Sequence, residues 1–109
     1  MPELEGGCAC GAVRYRLGSP PLFVHCCHCR DCQRQAGSAF AINALIEADR
    51  FTLLSGDTAP SAMPTDSGRP HAVHRCIACG TALWSEYGGR SSIRFVRVAT
   101  LGDPAALPQ

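Results

Sequence analysis

Eight cysteines stand in three tight groups along this chain: Cys8-x-Cys10, the run "CCHCRDC" from Cys26 to Cys32, and Cys76-x-x-Cys79. No other feature restricts the possible folds as much. Thiols two or three residues apart are half-sites for a metal ion, and joining two half-sites pins distant segments of the chain together. At 109 residues the chain has room for a core, yet it is small enough for a metal to weigh heavily in stability. The first ten residues, "MPELEGGCAC", have neither the basic start nor the apolar centre of an export signal. A cytoplasmic location is therefore expected, where thiols stay reduced and serve as metal ligands or reactive groups rather than as a four-disulfide framework.

Bulk charge narrows the partners. A net charge of +1, with only 17% charged residues, provides no basic field for nucleic acid, and no apolar run is long enough to span a membrane. All 10 basic residues are arginines, which excludes Schiff-base lysines and the lysine of a P-loop.

Between the cysteines the apolar residues alternate with a period of two, the mark of half-buried strands. Val13, Tyr15 and Leu17 form one such set; Phe40, Ile42, Ala44 and Ile46 another; Phe51 and Leu53 a third; Ile93, Phe95 and Val98 a fourth. "PLFVHC" (21–26) and "ALWSEY" (82–87) are further strand candidates, and "CRDCQRQAG" can form one helical turn beside its cysteines. The expected class is mainly β with little helix, in a single domain over residues 1–109. Residues 56–71, rich in Gly, Pro and Ser, read as a surface connection or a lid. The tail "TLGDPAALPQ" is expected to lie along the surface.

Two of the cysteine groups complete each other. Cys8 and Cys10, followed by Gly11, and Cys76 and Cys79, followed by Gly80, make two tight turns whose four thiolates close a tetrahedral site. A competing arrangement has His71 or His74 join Cys76 and Cys79 and release the N-terminal pair. In the middle group, neighbours on an extended strand point to opposite faces, so Cys26 and His28 turn away from Cys27 and Cys29. Cys26 is then expected to be a buried thiol, with a role as a redox or substitute ligand as the alternative. Cys27, Cys29 and Cys32 remain, three ligands for a metal that takes four. Arg14, Arg94 and Arg97 are placed on polar strand faces, one of them available to pair with a substrate carboxylate.

The segments "GGCACGAVRYRL", "CHCRDCQRQAGSAF", "FTLLSGD", "CIACGTALW" and "VRVATLGDP" follow one another as in the glutathione-dependent formaldehyde-activating enzyme family, which also contains centromere protein V. The sequence resembles that family over almost its full length, and its C-x-C, C-H-C-x-x-C and C-x-x-C-G elements together are specific. The resemblance implies a β-tent fold of antiparallel sheets with two zinc ions per chain. One is structural, on Cys8, Cys10, Cys76 and Cys79; the other is catalytic, on Cys27, Cys29 and Cys32. It also implies carbon–sulfur lyase activity on S-(hydroxymethyl)glutathione.

Elementary chemistry points the same way. Three thiolates make zinc a weak Lewis acid for activating water, but a good host for a further thiol, whose sulfur can join or leave an aldehyde carbon. The expected partners are a small glutathione-like thiol and an aldehyde, on a monomer or homodimer. Asp31, His28 or water would carry the proton, and Gln33, Arg34, Ser38 and Phe40 are candidates for the pocket wall. The alternative is a zinc-stapled binding module, which needs a fourth ligand on the second ion, from His25, Cys26 or a loop histidine.

Overall fold

In the computed structural model, which describes residues 4–65, 68–87 and 91–102, the alternating segments become strands of two antiparallel sheets. Among the described residues the order is β1 (Leu4–Gly7), β2 (Arg14–Leu17), β3 (Phe23–Cys27), α1 (Arg30–Ala36), β4 (Ala41–Glu47) and β5 (Phe51–Ser55). There follow β6 (Thr58–Ala62), β7 (His71–Cys76), β8 (Ala82–Tyr87) and β9 (Ile93–Arg97). β1, β2 and β5 form a small sheet; the larger runs β3-β4-β9-β8-β7-β6. The mainly-β, antiparallel class read from the sequence is the class that forms.

Residues paired across a ladder share a face, so the register assigns every side chain of the large sheet to one side or the other. Val24, Ala44, Val96, Trp84 and His74 form one continuous row across five strands. That row looks into the core, where Ala44, Val96 and Trp84 are buried beside Tyr15, Leu17 and Phe51 of the small sheet. Tyr15 stacks on Phe51 at 5.0 Å, and Phe51 tilts against Trp84 at 4.8 Å, joining the two sheets through their aromatic rings. The opposite face carries His25, Asn43 and Arg97 in one row and Phe95 and Ser85 in the next.

The alternation along β2 matches the reading, with Val13, Tyr15 and Leu17 all at 0% exposure. Along β9 the phase differs from the reading, since Val96 enters the core while Phe95 shares a face with Arg97; Val98, just past the strand, is buried as expected. Arg94 sits in the core-facing phase because its guanidinium lies over Phe51 and Trp84, 4.8 and 4.9 Å from the ring centres. Leu53 and Phe40 are exposed, so of the two expected positions on β5 Phe51 alone is buried.

Residues 56–71 contain β6, which pairs along β7. Pro60 is accommodated there because β6 is the last strand of the sheet, where a missing N–H leaves no ladder bond broken. Of the tail, Leu101 is buried and bridges to Gly6; residues 103–109 lie outside the described residues.

Candidate active site

Two turns bring four sulfurs together. After β1 the chain doubles back between Cys8 and Val13, with Cys8 N–H donating to the Val13 carbonyl at 3.1 Å and Gly11 in the left-handed region at φ 82°. After β7 it turns from Cys76 to Thr81, closed by Gly80 N–H to the Cys76 carbonyl at 2.9 Å. The Ala9 amide donates to the Thr81 hydroxyl at 3.2 Å and fastens one turn to the other. The sulfurs of Cys8, Cys10, Cys76 and Cys79 all lie within 4.8 Å of one another.

Backbone amides aim at these sulfurs: Val13 at Cys8 (3.3 Å), and Ala78 and Cys79 at Cys76 (3.4 and 3.5 Å). Amides so placed favour thiolates. The Thr81 hydroxyl and amide draw the Cys79 thiol down to about 5, and the Val13 amide lowers Cys8. At Cys10 the Ala12 amide pulls downward, but the neighbouring sulfurs of Cys8 and Cys79 outweigh it and push the thiol up to about 11. The opposed shifts come in part from hydrogen bonds among the sulfurs, some of which keep a proton, since four thiolates side by side would meet mutual repulsion. A divalent cation is the partner that relieves it.

The second group is built where β3 meets α1. Cys27 ends β3, Cys29 caps the helix, and Cys32 lies in its first turn. The Cys29 sulfur accepts the Cys32 amide at 3.4 Å, taking the place of the usual capping oxygen. The Cys27 and Cys29 sulfurs are 3.4 Å apart, and all three lie within 4.8 Å. The Cys32 amide lowers Cys29, whereas burial and the two neighbouring sulfurs raise Cys32. This donor set therefore also suits a soft cation such as zinc.

These three thiols and side chains from the outer face of the large sheet together line a pocket of about 170 Å³. Asn43, Ser85, His71 and Arg97 line it and are 3–8% exposed. Burial first, and the Arg97 charge second, lower the His71 imidazole. Sequence reasoning did not mark Asn43, Ser85 or His71 as pocket residues. The available signal was a polar residue in the off-phase of an apolar strand, but nothing local says that this face will be covered.

Other expectations are corrected. Gln33, Arg34 and Ser38 line a separate shallow groove beyond α1, and Phe40 packs on His28 at 5.6 Å, so the proposed wall is built from other residues. Cys26 is exposed rather than buried, because β3 is an edge strand, and its sulfur contacts His28 Nε2 at 3.4 Å. His74 stacks on Trp84 and pairs with Glu86 at 2.7 Å, and His71 lies in the pocket; neither joins the cluster around Cys76 and Cys79.

The family model of the glutathione-dependent formaldehyde-activating enzymes matches residues 3–109. A curated protein of Halomonas elongata that carries the same glutathione-dependent formaldehyde-activating name is 36% identical over 85 residues, covering 74% of this chain. The chain spans about half, 54%, of that relative's length. The crystal structure of a Rhodobacter sphaeroides protein has the same fold, with a TM-score of 0.69 at 22% identity over 96% of this chain and 95% of that one.

Proposed function

Because the chain belongs to the glutathione-dependent formaldehyde-activating enzyme family, we propose that it is a zinc-dependent carbon–sulfur lyase acting on thiol–aldehyde adducts such as S-(hydroxymethyl)glutathione. Residues 1–109 act as a single domain in the reducing cytoplasm. Cys27, Cys29 and Cys32 hold the catalytic ion, and Cys8, Cys10, Cys76 and Cys79 hold a structural one. The observation that carries this reading is that the three-sulfur group faces a protein-lined pocket. A closed site in a binding module would need a fourth ligand, and among the described residues the group takes in no histidine, carboxylate or further cysteine within 4.8 Å.

Zinc bound by three thiolates supplies Lewis acidity that keeps a substrate sulfur ionised at neutral pH. The chain's own residues do the rest. Pockets for whole drug-sized ligands run to about 300–1,000 Å³, so a cavity of about 170 Å³ suits the one-carbon unit and its sulfur, with the remainder of the thiol lying outside. The sheet supplies a pocket wall whose polar groups are withdrawn from water, which strengthens each hydrogen bond made there. In cleavage the carbon–sulfur pair leaves with sulfur, the oxygen's electrons form the carbonyl, and the hydroxyl proton is released. Bond formation reverses these changes without any net redox.

The test is exchange of isotopically labelled formaldehyde with glutathione, followed by NMR at neutral pH. The zinc-loaded protein is expected to accelerate exchange between free and S-bound carbon, and Cys32→Ser, still folded, is expected to lose the acceleration. Exchange at the spontaneous rate with the intact protein would refute the proposal.

A further inference from the structure

Arg97 is only 8% exposed, and it lines the same pocket as Cys27 and Cys32. Its Nη1 donates to Asn43 Oδ1 at 2.7 Å, in register across β4 and β9, while its Nη2 is buried with no hydrogen-bond partner. A guanidinium held away from water with an idle N–H pair is an expensive arrangement, and it persists where something else completes it. His71, also 8% exposed and lining the same pocket, presents an Nδ1 that is likewise unpartnered. The backbone behind Arg97 is held as well: the Thr100 hydroxyl donates to the Arg97 carbonyl at 2.7 Å and meets the Tyr15 hydroxyl at 2.6 Å. Asn43 fixes one edge of the fork, the other edge has no partner, and the residue lines the pocket.

We infer that Arg97 is the oxygen-binding residue of this pocket, its free edge receiving the oxygen of the one-carbon unit whose carbon bonds to the thiol sulfur. This rests on the lyase reading above. When the sulfur lone pair forms the sulfur–carbon bond, the carbonyl π pair moves onto oxygen, and the resulting alkoxide takes a proton from solvent. Cleavage runs the same changes backwards. Arg97 neither gains nor loses a proton, because guanidinium stays charged in proteins. Its contribution is a preorganised donor whose hydrogen bond strengthens as the oxygen becomes negative, and removing one such donor costs about 10²–10³-fold in rate. A carboxylate elsewhere on the thiol would use the same edge, but it would strengthen binding rather than the bond-making step.

The experiment compares the zinc-loaded protein with Arg97→Met and Arg97→Lys. In the exchange assay Arg97→Met is expected to lower kcat about 10²–10³-fold while KM for glutathione changes less than about threefold. A raised KM with kcat unchanged would overturn the inference in favour of a carboxylate anchor. Calorimetric titration with 2-mercaptoethanol, which carries an oxygen but no carboxylate, and with ethanethiol supplies a readout without turnover. The wild type is expected to prefer the oxygen-bearing thiol at least about tenfold, and Arg97→Met to lose that preference. An equal preference in the variant would overturn the inference. If Arg97→Met does not fold, Arg97→Lys, which keeps the charge but not the fork, carries the test: an unchanged kcat and preference there would overturn it. If the wild type shows no exchange activity, yet its preference depends on Arg97, the lyase reading falls and the oxygen-binding role stands.

Discussion

Cys79→Ser and Cys29→Ser each remove one sulfur from a cluster, and the two changes are expected to differ by nearly the whole stability of the protein. The partners of Cys79 include Cys8 and Cys76, 8% and 2% exposed, which are packed into the same buried cluster as Tyr15, Leu17 and Trp84. Their site links Cys10 to a turn 66 residues later in the chain. A structural zinc contributes about 10–16 kcal/mol, whereas a whole domain is stable by only about 5–15 kcal/mol. Disabling that site therefore removes an amount as large as the net stability. In contrast, α1 buries none of its residues and Cys29 is exposed. Its structural task is to accept the Cys32 amide at the helix start, and serine is among the best residues for that position. Apart from the binding energy of the ion it releases, Cys29→Ser should then cost under about 1 kcal/mol, a shift of no more than about 4–8 °C. Zinc content by atomic emission, combined with thermal melting by circular dichroism, checks both. Cys79→Ser is expected to show no cooperative transition, and Cys29→Ser to keep one with one zinc fewer per chain. Equal losses of stability in the two variants would refute the division into a structural and a catalytic site.

Two further expectations concern the frame around the site. The Thr100 hydroxyl gives its proton to the Arg97 carbonyl, so the Tyr15 hydroxyl must donate to Thr100; Thr100→Val should cost about 1–3 kcal/mol, and adding Tyr15→Phe should recover part of it in urea melts. A double variant no more stable than Thr100→Val would show that proton order to be wrong. The same tyrosine sets an alkaline limit: burial pushes its phenol up to about 12, from about 10 when unfolded. The folded state thus keeps a proton that the unfolded state releases, so stability is full below pH 10 and falls by about 1.4 kcal/mol per pH unit towards pH 12; Tyr15→Phe should flatten that slope. Finally, Gly56 has φ 84°, and a Cβ there would meet the Ala12 carbonyl oxygen at 2.4 Å, whereas one at Gly37 (φ 67°) would meet nothing within 4 Å. Gly56→Ala should therefore cost well over about 1 kcal/mol and more than Gly37→Ala; equal melting temperatures would contradict the close approach.

Much of this protein is determined by short-range pattern. Cys8-x-Cys10 and Cys76-x-x-Cys79 shape their own turns, since glycine at 11 and 80 takes the left-handed backbone and local amides seek the sulfurs. The period-two alternation through Val13, Tyr15 and Leu17 selects a strand with one buried face before any partner strand is known. The sorting of sulfurs into a set of four and a set of three was legible for the same reason: adjacent residues on an extended chain point apart, which sends Cys26 away from Cys27.

The rest of the pocket lined by those three sulfurs was not legible, because no local preference distinguishes a solvent-facing strand position from one that another element will cover. Asn43 and Arg97 are 54 residues apart and become neighbours only through the pairing of β4 with β9. In β9 the phase itself depended on tertiary contact: with Phe51 and Trp84 to receive the Arg94 guanidinium, the strand turns Val96 into the core and Arg97 into the pocket. Composition and spacing determined that thiols would gather in two places. Strand register, a long-range property, decided which buried polar groups share a pocket with the second of them.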